Sequence, residues 1–543
     1  MSDPSTPQHA SEAAGEPAGA EAPARLRELI AERREAMDAL RARGLDPYPP
    51  GGGRLDRVGD VVARFDGELD GDPEPAAGAE PAAGAGPHPA ALAPGEDSGE
   101  AVRVAGRLVA TRGHGKLAFL VIRDGDDEVQ VMARLDRLGA EGFALTDDLH
   151  EGDWIAAEGT LARSKRGEPT VDADAVTIVG KALRPPPDKW HGVREPETRY
   201  RHREMDLAAS QEARAMVRAR AVLLAALRAE LDERAYLEVE TPLLHPIPGG
   251  ANATPFVTHH EALGVDLYLR IAPELYLKRL VVGGLPRVYE IGRVFRNEGL
   301  STRHNPEFTM LEAYQAHAGY GEMMALTQGL IQRAASALAE AGLREGGLVT
   351  RFGEAEVDLS GDWPRRPLLD LVAEAVGVER LDLGDRARLA ELCAAHRVPI
   401  EDRWGAGKLA LELYEKLVEP HLWEPTFVID YPVEVSPLAR RHPDDPGLAQ
   451  RYELIIAGRE LTNGFSELTD PDDQRERFEE QARAKAAGDA EAMPIDEDYL
   501  AAMELGLPPT GGLGLGVDRL LMLLLGRESI REVVAFPTLR PRG

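Results

Sequence analysis

The residues most able to do chemistry cluster in one stretch, 287–314, RVYEIGRVFRNEGLSTRHNPEFTMLEAY. Arg296, Glu298, Arg303, His304, Glu307 and Glu312 interleave there with Phe308 and Tyr314. A guanidinium fork matches paired phosphate oxygens, a carboxylate accepts from an amino group, and an aromatic face stacks on a base. Together these types suit an anionic, base-bearing ligand such as ATP. A merely solvated hairpin would need the charges but not the rings. A second stretch, 510–525, TGGLGLGVDRLLMLLL, carries Gly511, Gly512, Gly514 and Gly516 and then Arg519. Those glycines let backbone approach a ligand closely. Their GxGxG spacing is not the GxGxxG of a dinucleotide fingerprint, and no Gly-Lys-Ser/Thr makes the stretch a phosphate-binding P-loop.

Elements must bring these stretches together. Period-two alternation from Val288 to Phe295 predicts a strand, 297–306 a polar loop broken by Gly299 and Pro306, and 307–314 a second strand. Upstream, 210–233 has the periodicity of an amphipathic helix, and 236–244 reads as a strand closed by Pro242. Helical character dominates 321–345 and 366–418, with further strands near 426–435 and 451–468. The order is not a regular βαβ alternation, so an α+β domain with a largely antiparallel sheet flanked by helices is expected over 210–543.

The N-terminal part reads differently. Five short strands separated by turn signals within 100–183 predict a small closed barrel of the OB type. Arg107, Arg112, Lys116, Phe119 and Gln130 supply the mixture of charge and aromatic face that single-stranded nucleic acid binding uses. Residues 1–22 are expected to be a disordered tail, 23–66 a helical extension, 67–99 a flexible low-complexity insertion and 184–209 a hinge.

Composition bounds the rest. The chain has 543 residues and a net charge of −30, which argues against a protein that coats nucleic acid indiscriminately but allows a local basic surface. One cysteine, Cys393, excludes a disulfide framework and a cysteine-based zinc site. No apolar run reaches membrane-spanning length, and the N-terminus lacks the basic and apolar regions of a secretory signal, so a cytoplasmic protein is expected.

The helix–strand–Pro242 segment, FRNE…RHNPEF and GLGLGVDR resemble the three signature motifs of class II aminoacyl-tRNA synthetases. An N-terminal OB barrel is similar to the subgroup serving aspartate, asparagine and lysine. The segments IPGGANATPFVTHH, LRIAPELYLKRL and RELTNGFSEL resemble the bacterial type of lysyl-tRNA synthetase. One departure is Thr469, where the family usually has asparagine in ELND.

The resemblance implies ATP-dependent attachment of L-lysine to tRNA(Lys) through a lysyl-adenylate, by a homodimer. It implies that Arg296 bridges the α-phosphate, Glu298 and Phe308 meet adenine, and His304 and Arg519 meet the outer phosphates, with Arg296 and Arg519 catalytic. It implies magnesium held by Glu453 and Glu460. For lysine it implies Gly250 and Glu274 at the α-ammonium, Asn463 and Arg296 at the carboxylate, and Glu312, Glu467 and Tyr314 at the ε-ammonium, with Phe465 as a wall. In the barrel it implies Arg107, Phe119 and Gln130 at the anticodon. The residue types agree with lysine: an aspartate site should offer its substrate's side chain a cation, and Glu274, Glu312 and Glu467 are carboxylates. A relative that modifies proteins or lipids, or a non-catalytic paralogue, would lack the barrel, carry membrane segments, or have lost Arg296, Arg519 or a magnesium glutamate.

Overall fold

The computed structural model describes residues 24–51, 53–67, 87–187, 193–486, 488 and 492–541. The chain divides into two compact units. One comprises Met1–Val193 with Glu204–Gln211, the other Arg194–Arg203 with Glu212–Gly543.

In the first unit, five strands close into a barrel in the order Asp97–His114, Leu117–Asp124, Asp127–Arg134, Pro169–Gly180, Trp154–Arg163. Alternation sends Val102, Val104, Leu108, Leu120, Ile122, Val129 and Val131 inward. The tightest strand crossing is at Gly159, where a Cβ would lie 2.2 Å from the Asp172 carbonyl oxygen. The helix Val58–Asp66 adds Val58, Val61 and Phe65 to this core, and Leu40 of the helix Ala24–Ala42 joins them. Both helices fall within the extension expected to be helical over 23–66, whereas the helix Leu135–Ala144, which Gly139 kinks, has no counterpart in the expected five strands.

The tail expected over 1–22 lies outside the described residues, as does most of the expected insertion, 68–86. The end of that insertion needs correction. Leu92 packs in the barrel core and the first strand starts at Asp97, so 87–99 belongs to the barrel's packing. The expected hinge, 184–209, contains the helices Pro196–Arg201 and Arg203–Ala209.

The second unit is built on an eight-stranded sheet in the order Arg365–Pro367, Thr426–Pro432, Leu448–Ile456, Arg459–Ser466, Thr510–Gly516, Glu307–Ala316, Arg287–Phe295, Leu237–Glu238. All neighbours are antiparallel except the two edge pairs. The strand expected over 236–244 is reduced to Leu237–Glu238, with Leu244–His245 in a separate three-stranded sheet. Pro242 has no N–H to give a ladder, and Thr241 instead bonds the Glu290 carboxylate through both its N–H and its hydroxyl.

One sheet face is covered by the helices Gln211–Glu233, Tyr320–Glu340 and Val517–Leu524, packed on Leu311, Ala313, Leu454, Leu513 and Leu515. The other face is covered at one end by Leu368–Val376 and Ala406–Leu417 on Val428, Tyr431 and Ile455. Its other end is covered by the helix Glu274–Val282, with Leu277 and Val281 packed on Val288 and Tyr314, and between these covered ends the face holds a cavity.

Candidate active site

Strand register builds the cavity floor. Glu290 pairs with Glu312, Glu312 with Gly514, Gly514 with Asn463, and Asn463 with Glu453. Directly paired residues share a face, so these form one row across the sheet. The next row runs Tyr314, Gly512, Phe465, Arg451. The Gly-rich strand therefore alternates by face. Leu513 and Leu515 enter the core, while Gly512, Gly514 and Gly516 leave the cavity side bare. At Gly512 bareness is obligatory, because a Cβ would sit 2.0 Å from Glu467 Oε1.

The register shifts between Leu454 and Ile455, where Leu461 is the extra residue of a bulge and Ile455 pairs with Glu460. The bulge moves Glu460 to the face carrying Glu453 and Asn463. Both carboxylates line the cavity, whose volume is about 870 Å³.

The predicted phosphate and base residues converge there. Arg296, Glu298, His304, Phe308 and Arg519 all line the same cavity. The Arg296 guanidinium lies 5.2 Å from the Phe308 ring centre, and its buried Nε has no hydrogen-bond partner among the described residues. Arg519 donates to the Glu460 carbonyl at 2.8 Å and to its carboxylate at 3.1 Å, with His304 Nε2 3.4 Å away. Asp518 anchors that helix start by accepting from the Thr309 N–H at 2.7 Å.

Glu453 and Glu460 differ electrostatically. Burial, reinforced by the Glu460 charge, pushes the Glu453 carboxyl up to about 7 despite Arg451. Burial also acts on Glu460, but Arg519, Arg296 and Arg451 outweigh it and hold that carboxyl below its ordinary range. A divalent cation would relieve the repulsion between the two. No group of three or more His, Cys, Asp or Glu side chains able to hold a metal occurs among the described residues. Two glutamates plus phosphate oxygens from a bound nucleotide fit magnesium's preference.

Gly250, Glu274, Glu312, Tyr314, Asn463 and Phe465 line the other end of the cavity. Gly250 has φ +86°, and a Cβ there would meet the Cβ atoms of Ala272 and Glu274 at 3.2 and 3.1 Å. The Tyr314 hydroxyl donates to Glu312 Oε2 at 3.0 Å. Burial, then the Glu274 charge, pushes the Glu312 carboxyl up to about 8. Glu467 is buried just beneath, under Gly512.

The sequence reading of this end needs one correction, because the carboxylates do not stand without a cation. The fully buried Lys278 ammonium lies 2.6 Å from Glu274 Oε1 and pairs with Glu467, and it faces the rings of Phe465 and Tyr314 at 5.4 and 6.0 Å. Burial alone would lower its pKa, but Glu274 and Glu467 overcome that and hold it well above the ordinary lysine range. In sequence the Glu274–Lys278 pair is indistinguishable from a solvated i,i+4 pair on a helix. Arg451 is likewise illegible there. It donates to Asn463 Oδ1 at 3.0 Å and to a Glu453 oxygen at 2.5 Å, so it ties the two ends of the cavity together.

In the barrel, Arg107, Phe119 and Gln130 alternate with inward residues and lie on its outer face. Arg107 stacks 4.9 Å over Trp154, and Gln130 donates to Thr170 Oγ1 at 2.9 Å.

The profile of the tRNA synthetases class II (D, K and N) matches residues 195–540, which contain the whole cavity. The chain belongs to the class II tRNA synthetases. A second profile, the OB-fold nucleic acid binding domain, matches 102–179 of this synthetase. Among curated relatives, the lysine–tRNA ligase of Carboxydothermus hydrogenoformans is 44% identical over 520 residues, covering 95% of this chain and 99% of the relative. That of Xanthomonas oryzae pv. oryzae is 47% identical over 522 residues, covering 96% and 98%. That of Pelotomaculum thermopropionicum is 45% identical over 521 residues, covering 95% and 96%.

Proposed function

We propose that this synthetase attaches L-lysine to tRNA(Lys) at the expense of ATP, through a lysyl-adenylate. The observation carrying this reading is the charge count at the amino-acid end. Glu274, Glu312 and Glu467 place three carboxyl groups around one resident ammonium, Lys278, which pairs with Glu274 and Glu467, so the end carries an excess of acid for a substrate with two ammonium groups. An aspartate enzyme would need a free cation there, and Lys278 is already taken by two carboxylates.

In this reading Glu274 and Gly250 hold the α-ammonium, Asn463 and Arg296 the carboxylate, and Glu312, Glu467 and Tyr314 the ε-ammonium, with Phe465 as a wall. Glu298 and Phe308 hold adenine, Arg296 the α-phosphate, and His304 and Arg519 the outer phosphates. The lysine carboxylate attacks the α-phosphorus and pyrophosphate leaves. The tRNA 3′-terminal hydroxyl then attacks the adenylate carbonyl. The protein supplies no nucleophile. It aligns the reactants and stabilises charge through Arg296 and Arg519. Magnesium on Glu453 and Glu460 would neutralise phosphate charge.

The anticodon is assigned to the outer barrel face at Arg107, Phe119 and Gln130. A homodimer is supported by exposed apolar side chains beside the three-stranded sheet, Leu243, Leu244, Val257, Leu263 and Val265. A cytoplasmic location suits a tRNA substrate, and no helix among the described residues is long and apolar enough to cross a membrane. The test is ATP–pyrophosphate exchange with each standard amino acid in turn. Exchange with lysine alone is expected, and exchange with aspartate or asparagine instead would refute the reading.

A further inference from the structure

The strand Leu448–Ile456 brings Arg451 into the cavity lining next to Asn463. Its guanidinium is fixed from several directions. Nη1 donates to the Val435 carbonyl at 2.7 Å and to Ser436 Oγ at 3.3 Å, Nη2 donates to Glu453 at 2.5 Å, and the group lies 4.6 Å over the Tyr431 ring. Those contacts leave Nε aimed at Asn463, whose Oδ1 accepts at 3.0 Å. A guanidinium has donors only, so Asn463 must give it the amide oxygen. The Asn463 NH2 group bonds nothing else among the described residues and is left for the cavity.

We infer that Arg451 is a positioning residue that makes Asn463 a donor to the substrate's α-carboxylate. An asparagine side chain is ambivalent. Turned end for end about its last bond, it would present oxygen to the carboxylate and repel it. Arg451 removes that choice, because the turn would set the NH2 group against a guanidinium. Sheet register supplies the reach. Asn463 pairs with Glu453 and Phe465 with Arg451 on the same face, so one fork spans Asn463 and Glu453. Arg451 thereby favours an amino acid over an amine that has the same two ammonium groups and no carboxylate. This role rests on the lysine reading of the site.

The experiment measures equilibrium binding of L-lysine and of L-lysinol, which has an alcohol in place of the carboxylate, by titration calorimetry without ATP or magnesium. Arg451→Met is expected to weaken lysine at least about tenfold, the scale of a hydrogen bond to a charged group, and lysinol by no more than about twofold. A merely structural loss would weaken both alike. In Asn463→Ala the carboxylate has no amide to meet, so adding Arg451→Met should weaken lysine by no more than about twofold further. Arg451→Lys keeps the cation, but a point ammonium cannot hold Asn463 and Glu453 as a fork does. It too should lose preference for lysine over lysinol, and it decides the matter if Arg451→Met does not fold. Equal weakening of the two ligands, an unchanged lysine affinity in the Arg451 variants, or a full additional loss in the double variant would overturn the inference. A wild-type enzyme that binds no lysine would refute the functional reading itself, which separates the two failures.

Discussion

The Tyr314 hydroxyl donates a 3.0 Å hydrogen bond to Glu312, two residues earlier on the same face of one strand. That bond favours the carboxylate, yet burial and the Glu274 charge outweigh it and push Glu312 up to about 8. In the free enzyme Glu312 is therefore protonated below about pH 8. A bound ammonium prefers the carboxylate and lowers that pKa, so binding below about pH 8 releases a proton. Lysine affinity should rise with pH by up to about tenfold per unit and level off near pH 8. The lysine KM across this range checks it, and Glu312→Gln should flatten the profile.

Glu312→Gln should also lose lysine activation while ATP binding survives. An uncharged amide leaves the ε-ammonium without a counter-charge, a cost on the order of several kcal/mol in a dry site. Separate KM values for lysine and ATP decide the matter, and an unchanged lysine KM would sink the assignment.

Gly512 and Gly514 should respond differently to alanine. At Gly512 a Cβ would lie 2.0 Å from Glu467 Oε1 and 2.5 Å from Tyr314 Cε1, whereas at Gly514 the nearest atom is 3.7 Å away. Gly512→Ala should destabilise the fold by roughly 1–3 kcal/mol. Gly514→Ala should keep its melting temperature while impairing turnover by intruding into the cavity. Thermal melts beside exchange rates test the contrast.

Phe119→Ala should weaken tRNA charging and spare lysine-dependent exchange. Loss of one stacked base costs about 1–3 kcal/mol by analogy with other single-strand binders. The KM for tRNA is the readout, and equal loss in the exchange assay would count against an anticodon role.

Glu460→Gln should raise the magnesium requirement of exchange by at least about tenfold, because Glu460 is one of the two carboxylates proposed to share the ion with phosphate. Magnesium titration at fixed ATP measures this. An unshifted curve would remove Glu460 from the metal site.

Much of this was legible in the sequence, for identifiable reasons. The hairpin flanking 297–306 shows period-two alternation, and the structure has strands Arg287–Phe295 and Glu307–Ala316. The barrel strands are legible in the same way. Long-range register is not. Nothing local says that Gly514 pairs with both Glu312 and Asn463, or that a bulge at Leu461 turns Glu460 toward the cavity. Lys278 and Arg451 were hidden because a charge on a helix or strand reads as solvated until tertiary packing buries it. Pro242 marks a real break, but the strand before it is only Leu237–Glu238, because Thr241 bonds Glu290 in place of a ladder partner.

The strand Thr510–Gly516 lies between Glu307–Ala316 and Arg459–Ser466, yet it comes after both in the chain. During synthesis on the ribosome those two neighbours emerge first and wait with unpaired edges facing a gap. Both the amino-acid and the phosphate ends depend on closure of that seam. A nascent chain stalled before 510 would therefore hold neither substrate and would present two sticky edges to other chains.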